Sequence, residues 1–146
     1  MGTGKRSKSG REQKVSKSPE SLAGVGQKLK FSFEYYAFDP SWCFSKLDSN
    51  ALHQAIVRLK ELSQKTHSDI IRERFVLHWH EIDWQKTTRK DGFGISAVQN
   101  LEHYQVALLG VNGQLCRLHG AYSENVFYVV WVDPSHELQI SNLKGT

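Results

Sequence analysis

Residues 75–84 read FVLHWHEIDW and bring two histidines, two acids and two tryptophans into ten positions. On an extended chain His78 and His80 share one face, while Leu77 and Trp79 share the other. Leu77, Trp79 and Ile82 are then packing residues, and the histidines face a cleft or water. Imidazoles titrate near neutral pH, which suits them to proton transfer. Further along, Arg117 and His119 again share one face of a strand, and His136 follows the last strand in DPSHEL beside Asp133 and Glu137. Cleavage of RNA by its own 2′-hydroxyl needs a base for that hydroxyl, cations for the phosphorane charge and an acid for the leaving oxygen. His78, His80, Arg117, His119 and His136 are the candidate catalytic set for such a step.

Lys86, Arg89 and Lys90 lie in WQKTTRKDGFG, with Trp84 and Phe93 among them. Cations interleaved with aromatics hold the backbone and stack the bases of single-stranded RNA, so Lys86, Arg89, Lys90 and Trp84 are the candidate RNA-binding residues. The competing reading is a solvated turn in which Trp84 and Phe93 cap the core. A sharper rival treats His78, His80 and Asp83, with His119 or His136, as nitrogen and oxygen ligands of a divalent ion. HxHxxD lacks the fixed second half that makes such motifs specific, and no metal or other cofactor is expected. Asp133 followed by Pro134 also reads as a turn in which the carboxylate bonds the backbone of Ser135 or His136. There is no GxSxG, Walker loop, GxGxxG or HExxH.

These residues need elements to position them. KFSFEYYAF has the aromatic bias of a strand that Asp39-Pro40 ends. Asp48, Ser49 and Asn50 offer caps for ALHQAIVRLKELSQKT, where Leu52, Ala55, Ile56, Leu59 and Leu62 recur at helical spacing. Ser68 would cap a second helix, SDIIRERF, completing a helical hairpin. FVLHWHEI, HYQVALLGV, QLCRLHGAY and VFYVVWV then read as strands, with Asn112-Gly113 as a hairpin turn and the last run buried on both faces. The expected class is α+β: an N-terminal strand, a two-helix hairpin and an antiparallel meander of three to four strands.

The chain carries 19 Lys and Arg against 15 Asp and Glu. Residues 1–27 hold six of those bases and two of the acids, so the rest of the chain is balanced at thirteen of each. A Lys-, Ser- and Gly-rich stretch without apolar periodicity cannot offset its ordering entropy, so 1–27 is expected to be a disordered basic tail and 28–146 a single domain. Cys43 and Cys116 are far apart and suggest neither a disulfide framework nor a thiolate zinc site. No apolar run approaches the ~20 residues that span a bilayer, so a cytosolic protein without membrane contact is expected.

The segment YQVALLGVNGQLCRLHGAYSENVFYVVWVDPSHEL resembles the C-terminal half of the RelE/ParE superfamily of small bacterial toxins, and the element order from 28 to about 140 is similar to theirs. The resemblance implies a helical hairpin packed on an antiparallel sheet, with Arg117 in place of the strand arginine that family often keeps. It further implies an endoribonuclease without a metal, cutting messenger RNA, in that family usually on the ribosome, in a toxin–antitoxin or phage-defence system. An antitoxin protein would cover the basic surface. Two rivals stand beside it: a non-catalytic protein- or nucleic-acid-binding module on the same fold, comparable to the gyrase-poisoning branch or a regulator, and the metal protein centred on HWHEID.

Overall fold

The computed structural model describes residues 26–108 and 116–139. The expected tail at 1–27 falls almost wholly outside them, as does the Asn112-Gly113 turn. The chain is α+β, built on a five-stranded sheet with the order β1-β5-β4-β3-β2. The strands are β1 (Lys30–Ser32), β2 (His80–Glu81), β3 (Glu102–Ala107), β4 (Arg117–Ser123) and β5 (Val126–Asp133). From β2 to β5 each strand runs antiparallel to the next, whereas β1 lies parallel to β5. The sheet is therefore mixed, because the chain leaves β1 through helices and re-enters at the opposite edge.

Three helices cover one face: α1 (Ser49–Leu62), α2 (His67–Arg72) and α3 (Arg74–Leu77). The Asp48 carboxylate accepts the Ala51 N–H at 2.8 Å and satisfies one of the donors left open at a helix start. α2 begins two residues earlier than Ser68 would place it. Thr66 is the cap, in a capping box with Asp69. The buried stripe of α1 is Ala51, Ala55 and Leu62 with Leu59 partly covered, so it is rotated by about one residue from the expected one. Leu52 and Ile56 face outward instead.

FVLHWHEI is not the strand its alternation suggests. Ile70 and Leu77 are both buried, two helical turns apart, and the chain stays helical through Leu77. His78 then adopts a left-handed conformation (φ 54°) and reverses the chain, leaving only His80 and Glu81 as strand. Phe75 and Val76 are exposed, while Leu77, Trp79 and Ile82 are buried.

The helix-side core gathers Leu62, Ile70, Leu77 and Trp79 against Val106, Leu118, Phe127 and Val129. Each such apolar side chain stabilises the fold by roughly 1.5–3 kcal/mol. The opposite face has its own core of Trp42, Phe93, Val98, Val130, Trp131 and Leu138, supplied by loops. β4 and β5 are covered on both faces as a result. A bulge between His119 and Gly120 leaves Val130 without a partner, since His119 faces Trp131 and Gly120 faces Val129. Gly120 is required there: a Cβ would lie 2.2 Å from the Tyr128 carbonyl oxygen.

Candidate functional site

Two rows of side chains cross the loop-covered face. In the first, His80 stands opposite Gln105, Gln105 opposite His119 and His119 opposite Trp131. In the second, Ala107 stands opposite Arg117 and Arg117 opposite Asp133, with His78 beyond the end of β2 beside this row. Pairing thus sets His80 in one row with His119, with Gln105 of β3 between them. At the edge, a groove of about 180 Å³ is lined by His80, Asp83, Lys86, Thr87, Gln105 and Leu138. Thr87 pairs with Gln139 as a short antiparallel bridge, and Thr88 N–H donates to the Leu138 carbonyl at 2.7 Å. These bonds tie the 84–90 loop to the C-terminal turn and form the outer wall.

His78 and His80 are exposed, as is Lys86, whose ammonium lies 3.9 Å from Asp83. Partial desolvation holds His78 below the usual imidazole range, and the positive fields of Arg117 and His80 add to it. Arg117, by contrast, is 2% exposed and its Nε has no hydrogen-bond partner. Nη1 donates only a long 3.4 Å bond to the Cys116 carbonyl. Burial lowers its pKa, with Cys116 and Asp133 opposing. A guanidinium stays charged under such a shift. Its positive field is felt at the His78 ring.

Arg117, His119 and His136 are not open to solvent. The 83–99 loop, the segment around Trp42 and the 134–139 turn cover that face, so His119 is fully buried and His136 nearly so. Neither ring nitrogen of His119 has a hydrogen-bond partner. Burial, with His136, Arg117 and His80 nearby, pushes its pKa down to about 3. Asp133 Oδ2 lies 3.8 Å from Nε2 and alone would favour a charged ring. That distance makes no hydrogen bond, and the carboxylate already accepts the Glu137 and Leu138 N–H groups at 2.7 and 2.8 Å. His119 is neutral at physiological pH and cannot exchange protons with a substrate. The Asp133 carboxylate forms the turn by holding the backbone of Glu137 and Leu138. His136 itself sits in the left-handed region (φ 56°) and donates its N–H to the Asp133 carbonyl.

The RNA-binding set also divides. Arg89 lies 4.3 Å from the Trp42 ring centre and 5.1 Å from that of Trp131, and it donates to Asp39 at 3.3 Å. It is a packing cation rather than a free one. Lys90 donates to the Gln85 carbonyl at 2.8 Å and holds its own loop closed. Trp84 is half-buried, with its indole N–H on His103 Nδ1 at 2.9 Å. Lys86 alone of the three cations points into the groove. The metal set fails on placement: no three His, Cys, Asp or Glu side chains among the described residues converge as ligands.

Gln105 and Thr87 are site residues that the sequence reading passed over. Gln105 stands two residues from His103 in HYQVALL, a polar alternation that marks it as sharing the His119 face. Among the described residues, no helix is long and apolar enough to cross a membrane. Comparison of the chain with protein-family models, with curated proteins and with solved structures returned no match.

Proposed function

We propose that the chain is a RelE-like toxin, a metal-independent endoribonuclease that cuts messenger RNA at the His78/His80 edge of the sheet. The observation that carries this is two exposed histidines placed together over a buried arginine that lacks a full set of partners. Its element order, a strand and helices ahead of an antiparallel meander, adds to it. A phosphate at the groove mouth would face Lys86 and the field of Arg117. His78, kept neutral by its surroundings, takes the proton of the ribose 2′-hydroxyl as that oxygen attacks phosphorus. The bond from phosphorus to the 5′-oxygen breaks, His80 gives that oxygen a proton, and a 2′,3′-cyclic phosphate and a 5′-hydroxyl result. In this reading an antitoxin protein shields the edge in the cytoplasm, and the system serves plasmid maintenance or phage defence.

Induced expression tests it. Growth arrest with fragmented messages from the wild type, and relief by the folded double variant His78→Ala/His80→Ala, is the expected outcome; arrest that persists in the double variant contradicts it. A second reading, a non-catalytic protein-binding module, is favoured by one feature. Ile56, Val57, Phe75 and Val76 expose a run of apolar surface on α1 and α3, larger than isolated surface hydrophobes require. Persistent arrest with intact RNA belongs to that reading.

A further inference from the structure

A second cavity, of about 530 Å³, lies between the 90–99 loop and the edge of the sheet. That is within the size range of small-ligand sites. Its walls are flat. Trp84 and Phe93 meet edge to face at 4.9 Å, and Phe93 meets His103 at 4.9 Å. His103 is fixed at both nitrogens, by the Trp84 indole at 2.9 Å and by the Val98 carbonyl at 2.8 Å. The aromatic walls are thus preorganised, and the polar edges of Trp84 and His103 are already engaged. Hydrogen bonding to a ligand falls to the rim: Glu81, Asp91, Ser96 and Gln99. Gly94 has φ +72° and open space where a Cβ would stand, so the loop turns past the cavity without filling it.

Glu81 and Ile82 line both this cavity and the groove that holds His80 and Lys86. The cavity presents aromatic rings and polar rim groups, and its neighbour across a shared strand presents cationic and acid–base groups. We propose, resting on the ribonuclease reading, that the larger cavity receives a base of the RNA beside the scissile phosphate, and that this base is guanine. Two exposed carboxylates at the rim select it. Guanine alone among the four RNA bases presents adjacent N1–H and N2–H donors, which a carboxylate accepts with both oxygens.

The probe is the free nucleoside, which has no phosphate and so reports on the cavity without the groove. Guanosine titrated into the full chain is expected to move the Trp84 indole resonance and the Gly92 and Gly94 amides, and to bind about tenfold tighter than uridine, the discrimination a bidentate pair supplies. The isosteric double variant Glu81→Gln/Asp91→Asn should bring guanosine within about threefold of uridine, whereas Gln99→Trp, which fills the mouth from an exposed position, should abolish binding of both. Guanosine that leaves those three resonances unmoved, or that binds no tighter than the other nucleosides, overturns the proposal. Failures of the two readings are separable. Guanosine bound by a protein that leaves RNA intact sinks the nuclease and keeps the cavity; RNA cut without base preference by wild type and Gln99→Trp alike sinks the cavity and keeps the nuclease.

Discussion

Replacing His119 by leucine removes a titratable ring from the interior while keeping an apolar side chain of similar bulk. In the unfolded chain this ring titrates near ~6.5, whereas burial holds it down to about 3 in the folded protein. Above pH 6.5 both states are neutral and the ring contributes no pH dependence. As pH falls below 6.5 the unfolded chain binds a proton that the folded chain refuses, so stability drops until the folded pKa is reached. Each unit costs about 1.4 kcal/mol, and the window from 6.5 to 3 amounts to roughly 5 kcal/mol. The groups facing the ring are Arg117 on its own strand, His80 in the same row across Gln105, His136 from the C-terminal turn and Asp133 on β5. Only Asp133 would ease protonation. Urea denaturation followed by circular dichroism at pH 7.5, 6.5, 5.5 and 4.5 measures the difference directly. Wild type is expected to lose stability faster than His119→Leu below pH 6.5, by about 1.4 kcal/mol per unit. Parallel curves for the two proteins would refute a buried, neutral His119.

Gly120→Ala should destabilise the fold by roughly 1–3 kcal/mol, since its methyl would lie against the Tyr128 carbonyl and the Phe127 ring at the bulge; a lowered denaturation midpoint checks this. Arg89→Ala removes the cation between Trp42 and Trp131 and should cost about 1 kcal/mol of stability while leaving RNA affinity within twofold, measured by filter binding. If RNA affinity collapses in a variant of unchanged stability, Arg89 is a ligand contact after all. Cleavage rate should fall on the acid side of neutrality as His78 gains a proton, and because its pKa is lowered that fall should begin below pH 6.5. A limb centred above 6.5 would assign the base to another group.

The elements with local signals were legible. The Asp48 cap, the helix over 49–62 and the three long strands of the meander follow from periodicity and capping chemistry. The Thr66 capping box was equally present in the sequence as T-x-x-D, and Ser68 concealed it. What resisted reading was nonlocal. Which face of β4 is covered depends on a long irregular loop and on the 134–139 turn, whose packing has no period to detect, so Arg117 and His119 read as exposed. The segment around His78 has apolar residues that satisfy helical and strand spacing together, and Leu77 packing beside Ile70 decided for the helix. Alternation still separated the buried Leu77 and Trp79 from the exposed His78 and His80, because two residues around a left-handed turn keep opposite sides much as in a strand.

The most direct measurement is the chemistry of the cut ends. Purified wild type and His78→Ala/His80→Ala would be given messenger RNA, naked and in a translating extract, with EDTA present, and the fragments resolved by mass spectrometry. Fragments ending in 2′,3′-cyclic phosphate and starting with 5′-hydroxyl, produced by the wild type and absent with the folded variant, are the expected result. Intact RNA under both conditions, or the same ends from both proteins, would contradict an RNA-cleaving site at the His78/His80 edge.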